Sequence, residues 1–339
     1  MTAISGYSLT QALRTLYGPA DLKKEQKEKT MKIGEGRLCW GPMGEREGYM
    51  VVNTICDKLP GGVYEPKVTQ SGLIYFEPLS FPGDDTVSLP GLPSDYILNQ
   101  IEDFWNNQGK YLKYGFVPKR GILLYGPPGC GKTSIIRLLC AQIVAKGGIA
   151  FNFTDFQNAA AYLRKFRSVE PDRPILAMFE DMEGMVGYTM DGALGSGGGA
   201  RAALSLLDGQ DQISNVAYIA TTNNPADIAD RFIKRPGRFD LVIGIHTPTA
   251  ATREAYLRHV CKDQIPEDIL KEIVAKTSLL SLAYLKEIAS TRLCLDIPVD
   301  ETIARVLGDF QRKDFSGKKK KGVGFNPEEE KGFTIGYQE

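Results

Sequence analysis

The sequence predicts an α/β fold: a parallel five-stranded sheet flanked by helices, a small helical C-terminal lid and a β-rich N-terminal domain. Three observations carry the prediction. The apolar runs GILLYG (121–126), GIAFNF (148–153), ILAMF (175–179), NVAYIATT (215–222) and LVIGI (241–245) have strand length and alternate with helix-like segments. Apolar strands separated by helices build parallel sheets covered on both faces. Before them, RLCW, YMVVNTI, VYEPKV and LIYFEPL are short β-type runs punctuated by Gly and Pro. After residue 250 only helical patterns remain, in TREAYLRHVCKD, PEDILKEIVAK, SLAYLKEIASTRL and VDETIARVLGDF.

Taken in order, residues 1–35 read as an N-terminal helix and a charged linker. Leu9, Leu13, Leu16 and Tyr17 fall at helical spacing, and DLKKEQKEKT is a solvated stretch. Residues 36–92 read as a small β-rich domain. PGLPSDYILNQIEDFWNN predicts a helix capped near Ser94 with Tyr96, Ile97, Ile101 and Trp105 on one face. It opens an α/β domain over 93–248, followed by the helical lid over 249–314. The tail, 315–339, mixes a lysine run, an acidic run and glycines and is expected to be disordered.

Composition excludes some functions. Lys plus Arg equals Asp plus Glu at 41 each, so net charge gives no general electrostatic grip on nucleic acid or membrane. No apolar run approaches the roughly 20 residues of a spanning helix, and MTAISGYSLT lacks the layout of a secretory signal. The six cysteines contain no C-x-x-C and read as reduced thiols of a cytoplasmic protein. His246 and His259, the two histidines, lack ligand spacing, which argues against zinc and against histidine-base catalysis.

The chemistry gathers at GILLYGPPGCGKTS. Gly126, Pro127, Pro128, Gly129, Cys130, Gly131, Lys132 and Thr133, followed by Ser134, fit G-x-x-x-x-G-K-[ST] between a strand and a helix. Glycines let backbone N–H groups turn inward around phosphate oxygens, and the helix N-terminus adds its positive dipole. Lys132 supplies a point charge to the β- and γ-phosphates, and Thr133 a hydroxyl to Mg²⁺. Cys130 occupies a free position and reads as filler.

Such a loop needs carboxylates for its metal and for the attacking water. ILAMF runs directly into Glu180 and Asp181, so Mg²⁺ bound with a nucleotide is the expected positive partner of these acids. The order is inverted: Glu180 falls where the metal residue is expected and Asp181 where the base is expected, and both join Thr133 as candidate metal-site residues. Glu183 reads as the solvated start of a helix.

At this point the chain resembles the AAA ATPases, within the AAA+ group. IATTNNPADIADRFIKRPGRFD (219–240) is similar to the second homology region of that family. The resemblance implies that Asn223 orients the attacking water and that Arg235 and Arg238 are arginine fingers reaching the ATP site of a neighbouring subunit. It implies a homo-oligomeric ring of six or seven members that acts on a macromolecular client, expected to be protein. The Glu-Asp order and the segment AALSLLDG (202–209) look like the mitochondrial Rieske-protein translocases, whose membrane helix is missing here.

Departures from the family pattern matter too. FNFTDFQNAAAYL carries no aromatic-apolar-Gly pore loop; Phe156 and Tyr162 read as core residues. TSLLSLAYLKEI lacks the Gly-Ala-Arg motif found in the lid of other AAA+ branches. The glycine-rich ALGSGGGARA (193–202) reads as a flexible loop and a candidate client contact. A nucleic-acid motor is the competing expectation, drawn from the loop itself and from Lys318 to Lys321. A non-hydrolysing, ATP-gated scaffold is the third.

Overall fold

The computed structural model describes residues 39–42, 49–52, 57–80, 88–186, 198–223, 232, 235 and 237–309. The expected N-terminal helix, the tail and residues 193–197 of the glycine-rich loop lie outside them; 198–202, expected to be loop, instead begin a helix. The chain divides into two compact units. The first runs to Gly126 and from Gly131 to His246; the second takes Pro127–Cys130 and the residues from Thr247 onward.

The first unit is a mixed sheet of nine strands among the described residues, in the order β1-β2-β4-β3-β6-β7-β8-β5-β9. The expected parallel strands are β5 (Lys119–Tyr125), β6 (Ile149–Phe153), β7 (Ile175–Phe179), β8 (Val216–Thr222) and β9 (Leu241–Gly244). All their pairings are parallel. Every residue of β7 and β8 is buried, as expected of strands covered on both faces.

The sequence predicts a separate domain over 36–92. The structure joins its strands to the core sheet. β1 (Cys39–Pro42), β2 (Tyr49–Val52), β3 (Val63–Val68) and β4 (Ile74–Pro78) pair antiparallel among themselves, and β3 then pairs parallel with β6. The physical reason is a shared core. Trp40 meets Phe76 edge-on at 5.0 Å, Phe76 lies 5.2 Å from Phe151, and Phe151 lies 5.1 Å from Phe166. Each such ring contributes about 2–3 kcal/mol when removed from water. A buried polar clamp locks the same seam: the Glu170 carboxylate accepts from Trp40 Nε1 at 2.9 Å, Leu59 N at 2.7 Å and Arg173 Nη1 at 3.0 Å.

Helix α1 (Ser94–Asn106) buries Ile97, Ile101 and Phe104, so its inner face is rotated slightly from the expected one. Pro93 stands at its N-cap, and no side chain caps it. A short α2 (Gln108–Lys113) leads to β5. Helix α3 (Lys132–Ala145) follows Gly131, and α4 (Ala159–Arg167) buries Tyr162, Leu163 and Phe166. Phe156 stacks on Phe179 with centroids 4.1 Å apart, and both it and Tyr162 are buried, as the sequence reading expected. The short α5 (Met182–Val186) and α6 (Gly198–Asp208) complete the unit.

The second unit packs α7 (Ala250–Val260), α8 (Glu267–Lys276), α9 (Leu282–Cys294) and α10 (Val299–Asp309) around Leu257, Leu270, Ile273, Leu285 and Ile288. Buried Arg253 ties its segments together by donating to Pro248 O at 2.8 Å and Val274 O at 2.9 Å. No described helix is long and apolar enough to cross a membrane.

Candidate active site

Strands β5, β7 and β8 end side by side, with Tyr125 in register with Thr222 and Phe179 with Ala220. The chain leaves β5 for β6, three places away, and later returns in β8 beside β5. Ligands of open parallel sheets bind outside the carboxyl ends of strands at such a reversal. Gly126, Glu180, Asp181 and Asn223 all lie just past these ends.

Gly126 turns the chain out of β5 at φ +148°, and a Cβ there would sit 2.0 Å from the carbonyl oxygen of Ile245. Only glycine allows the loop to start this close to the end of β9. Gly131, at φ +105°, opens α3. The following Lys132 is buried, and its ammonium donates to Gly126 O at 2.7 Å and to Asn223 Oδ1 at 2.9 Å. Thr133 Oγ1 donates to Glu180 Oε2 at 2.7 Å.

Asp181 adopts the left-handed region at φ +53°, with its N–H donating to Thr221 Oγ1 at 3.0 Å. A non-glycine residue held there is strained, and such strain concentrates at functional sites. Asn223 Nδ2 donates to Asp181 Oδ1 at 3.3 Å. Lys132, Thr133, Glu180, Asp181 and Asn223 therefore come together as the sequence suggested.

Glu183 departs from its solvated reading. It is half-buried, and its Oε1 accepts from Asn223 N at 3.1 Å and Asn223 Nδ2 at 3.3 Å. The sequence signal was present in the third acid of the run, but spacing alone does not separate a helix start from a partner of β8.

The two arginines separate. Arg235 is exposed. Arg238 is buried, and its Nε donates to Asp208 Oδ2 at 3.1 Å within the same chain. A Cβ on Gly121 would lie 1.9 Å from Arg238 O, so this backbone is wedged against β5. Nearby, Lys119 Nζ donates to Gly237 O at 2.5 Å. Burial holds this lysine's pKa below its ordinary value.

In the second unit, Gly129 lies at φ +76°, where a Cβ would come within 2.8 Å of Ser281 Oγ and of Ala283 Cβ. Ala283 N donates to Gly129 O at 3.3 Å. Ser281 Oγ is buried without a hydrogen-bond partner among the described residues. Ser281 belongs to no motif in the sequence, and its one signal is a serine just ahead of an apolar helix.

The residues fit a magnesium nucleotide. A hydroxyl and a carboxylate in contact match the sparse oxygen donor set of a Mg²⁺ that also keeps waters and phosphates. Glycines in place of side chains leave the loop amides open to phosphate oxygens. No described group of three His, Cys, Asp or Glu side chains forms a self-sufficient metal cage. Burial, and then the charge of Glu180, push the Cys140 thiol up, so it stays neutral beneath the site.

Residues 122–247 match the family described as ATPase family associated with various cellular activities (AAA). This segment is similar to AAA ATPase domains. The matched stretch runs from within β5 to past β9 and contains the cluster at their ends. Domains of this kind hydrolyse ATP with Mg²⁺ as the usual metal. The ATP-dependent zinc metalloprotease FtsH of Marinobacter nauticus is 32% identical over 219 residues, covering 61% of this chain and 34% of that protein. The protein of the same name from Aster yellows witches'-broom phytoplasma is 32% identical over 192 residues, covering 53% of this chain and 28% of its own length. The chain thus spans about a third of the length of these relatives.

Proposed function

We propose that the protein is an ATP-hydrolysing AAA ring motor that remodels or translocates a macromolecular client, and that the client is protein. The observation that carries the reading is the cluster in which Lys132 and Asn223 are joined beside the Thr133–Glu180 pair. ATP supplies a phosphoanhydride and Mg²⁺ neutralises the charge that develops on it.

The chain's own groups do the rest. Backbone N–H groups of Gly131, Lys132 and Thr133 and the ammonium of Lys132 would hold phosphate oxygens; Thr133 and Glu180 would hold the metal. Asp181 accepts the proton of the attacking water, and Asn223 orients that water. Positioning and fixed charge are the main levers in phosphoryl transfer.

A second copy completes the site. Arg235, exposed and three residues before Arg238, is the arginine that serves a neighbour's nucleotide. Arg238 is instead paired with Asp208 of its own chain. A guanidinium suits this work because its charge is permanent and its donors are forked. The Glu-Asp order at 180–181 and the helix through AALSLLDG favour a relation to the Rieske-protein translocases within the family.

A protein client is supported by the relatives, which are proteases by name. Their zinc chemistry is not carried over, since His246 and His259 are the histidines of this chain. Buried Phe156 and Tyr162 leave no aromatic grip after β6, which favours moving a client without threading. Cys140, Cys261 and Cys294, unbridged among the described residues, favour a reducing, cytoplasmic setting. The decisive experiment is ATP turnover with and without a trapped client. Proteins retained by the Asp181→Asn variant in ATP should stimulate the wild type. Stimulation by DNA or RNA alone would overturn the protein-client reading.

A further inference from the structure

Glu183 is an acid that neither metal holding nor water activation uses. We propose that it is a positioning residue for hydrolysis, setting the orientation of the Asn223 side chain. The inference rests on the ATPase reading of this site.

An asparagine amide has a donor end and an acceptor end, and rotation by half a turn exchanges them. Around Asn223 the partners permit one choice. Lys132 Nζ, which can only donate, lies 2.9 Å from Oδ1. Asp181 Oδ1 and Glu183 Oε1, acceptors when ionised, each lie 3.3 Å from Nδ2. Glu183 Oε1 also takes the Asn223 backbone N–H at 3.1 Å. That bond fixes the main chain at the end of β8 as well as the side chain. Without Glu183 the donor end would rest on Asp181 alone, and Asp181 is exposed.

Glu183 is itself held firmly. It sits in α5 between Met182 and Val186, both buried in the core. Its other oxygen, Oε2, is buried with no hydrogen-bond partner among the described residues. Leaving a buried carboxylate oxygen unpaired costs stability. An arrangement that tolerates this cost while giving its paired oxygen twice to one residue is a constraint on that residue. The carboxylate makes both bonds charge-assisted, roughly doubling their strength over neutral ones.

The test is a double-mutant cycle on ATP turnover with Mg²⁺ in the full chain: Glu183→Ala, Asn223→Ala and the pair. Glu183→Ala should lower kcat by about 10- to 100-fold, the scale of a misplaced positioning group. Its ATP affinity, from calorimetry, should stay within about threefold, less than the loss of one hydrogen bond. The pair should fall within about twofold of Asn223→Ala alone, because one residue acts through the other. Glu183→Gln keeps an oxygen acceptor of the same reach and should recover kcat to within about tenfold of wild type; it also serves as the readout if the alanine variant does not fold. An active wild type with losses that multiply in the pair, or Glu183→Ala and Glu183→Gln both at wild-type kcat, would overturn the positioning role alone. A wild type without turnover would overturn the ATPase reading, and this inference with it.

Discussion

Asn223 accepts a hydrogen bond from Lys132 at 2.9 Å, so the end of β8 and the start of α3 meet in one polar cluster. Lys132 also donates to Gly126 O at 2.7 Å, which folds its long side chain back over the loop that carries it. Its charge is thereby fixed in space before any client is engaged, and preorganised charge is the form of electrostatics that phosphoryl transfer rewards.

Lys132→Ala removes that charge and leaves the loop backbone in place. ATP affinity should fall by at least about tenfold, the scale of a lost charged hydrogen bond, with no loss of fold. Calorimetric titration with Mg²⁺ and ATP, alongside circular dichroism, reads both outcomes.

Asp181→Asn keeps size and removes the proton acceptor. Turnover should drop by about 10²- to 10⁴-fold, the usual share of general acid–base catalysis, while ATP still binds. A variant that binds and hydrolyses like wild type would place the base elsewhere, with Glu180 the nearest alternative.

Arg235 and Arg238 should separate in their phenotypes. Arg235→Ala, at an exposed position, should leave unfolding unchanged and reduce turnover by about 10³-fold or more, as for a finger supplied in trans. Arg238→Ala should lower stability by about 1.5–3 kcal/mol through the lost Asp208 pair. Urea unfolding and phosphate release, run on both variants, distinguish the two roles.

Glu170→Ala should loosen the seam between the N-terminal strands and the core sheet. It strips acceptors from Trp40 Nε1 and Leu59 N and leaves Arg173 with backbone carbonyls only. A cost of about 3–5 kcal/mol is expected for breaking a buried pair from one side. Tryptophan fluorescence during urea unfolding reports it, since Trp40 lies in the seam.

Much of this was legible in the sequence because it is written in local pattern. β5 to β9 announce themselves as apolar runs, and the loop from Gly126 to Thr133 carries its own spacing. What stayed hidden depends on partners distant in the chain. Nothing in VYEPKV says that Val63 and Tyr64 will pair with Ala150 and Phe151; that is decided by the aromatic seam and by Glu170, more than a hundred residues from Trp40. Glu183 looked like a solvated helix start because its partner, Asn223, comes 40 residues later. Arg235 and Arg238 looked alike in RPGR, and only burial against Asp208 tells them apart.

Phosphate release from ATP in the presence of Mg²⁺, measured side by side for the wild type and Lys132→Ala, tests the central claim most directly. Steady turnover by the wild type that vanishes in the variant is the predicted result. Equal release from both proteins, or none from either, would contradict the assignment of ATP hydrolysis to the strand-end cluster.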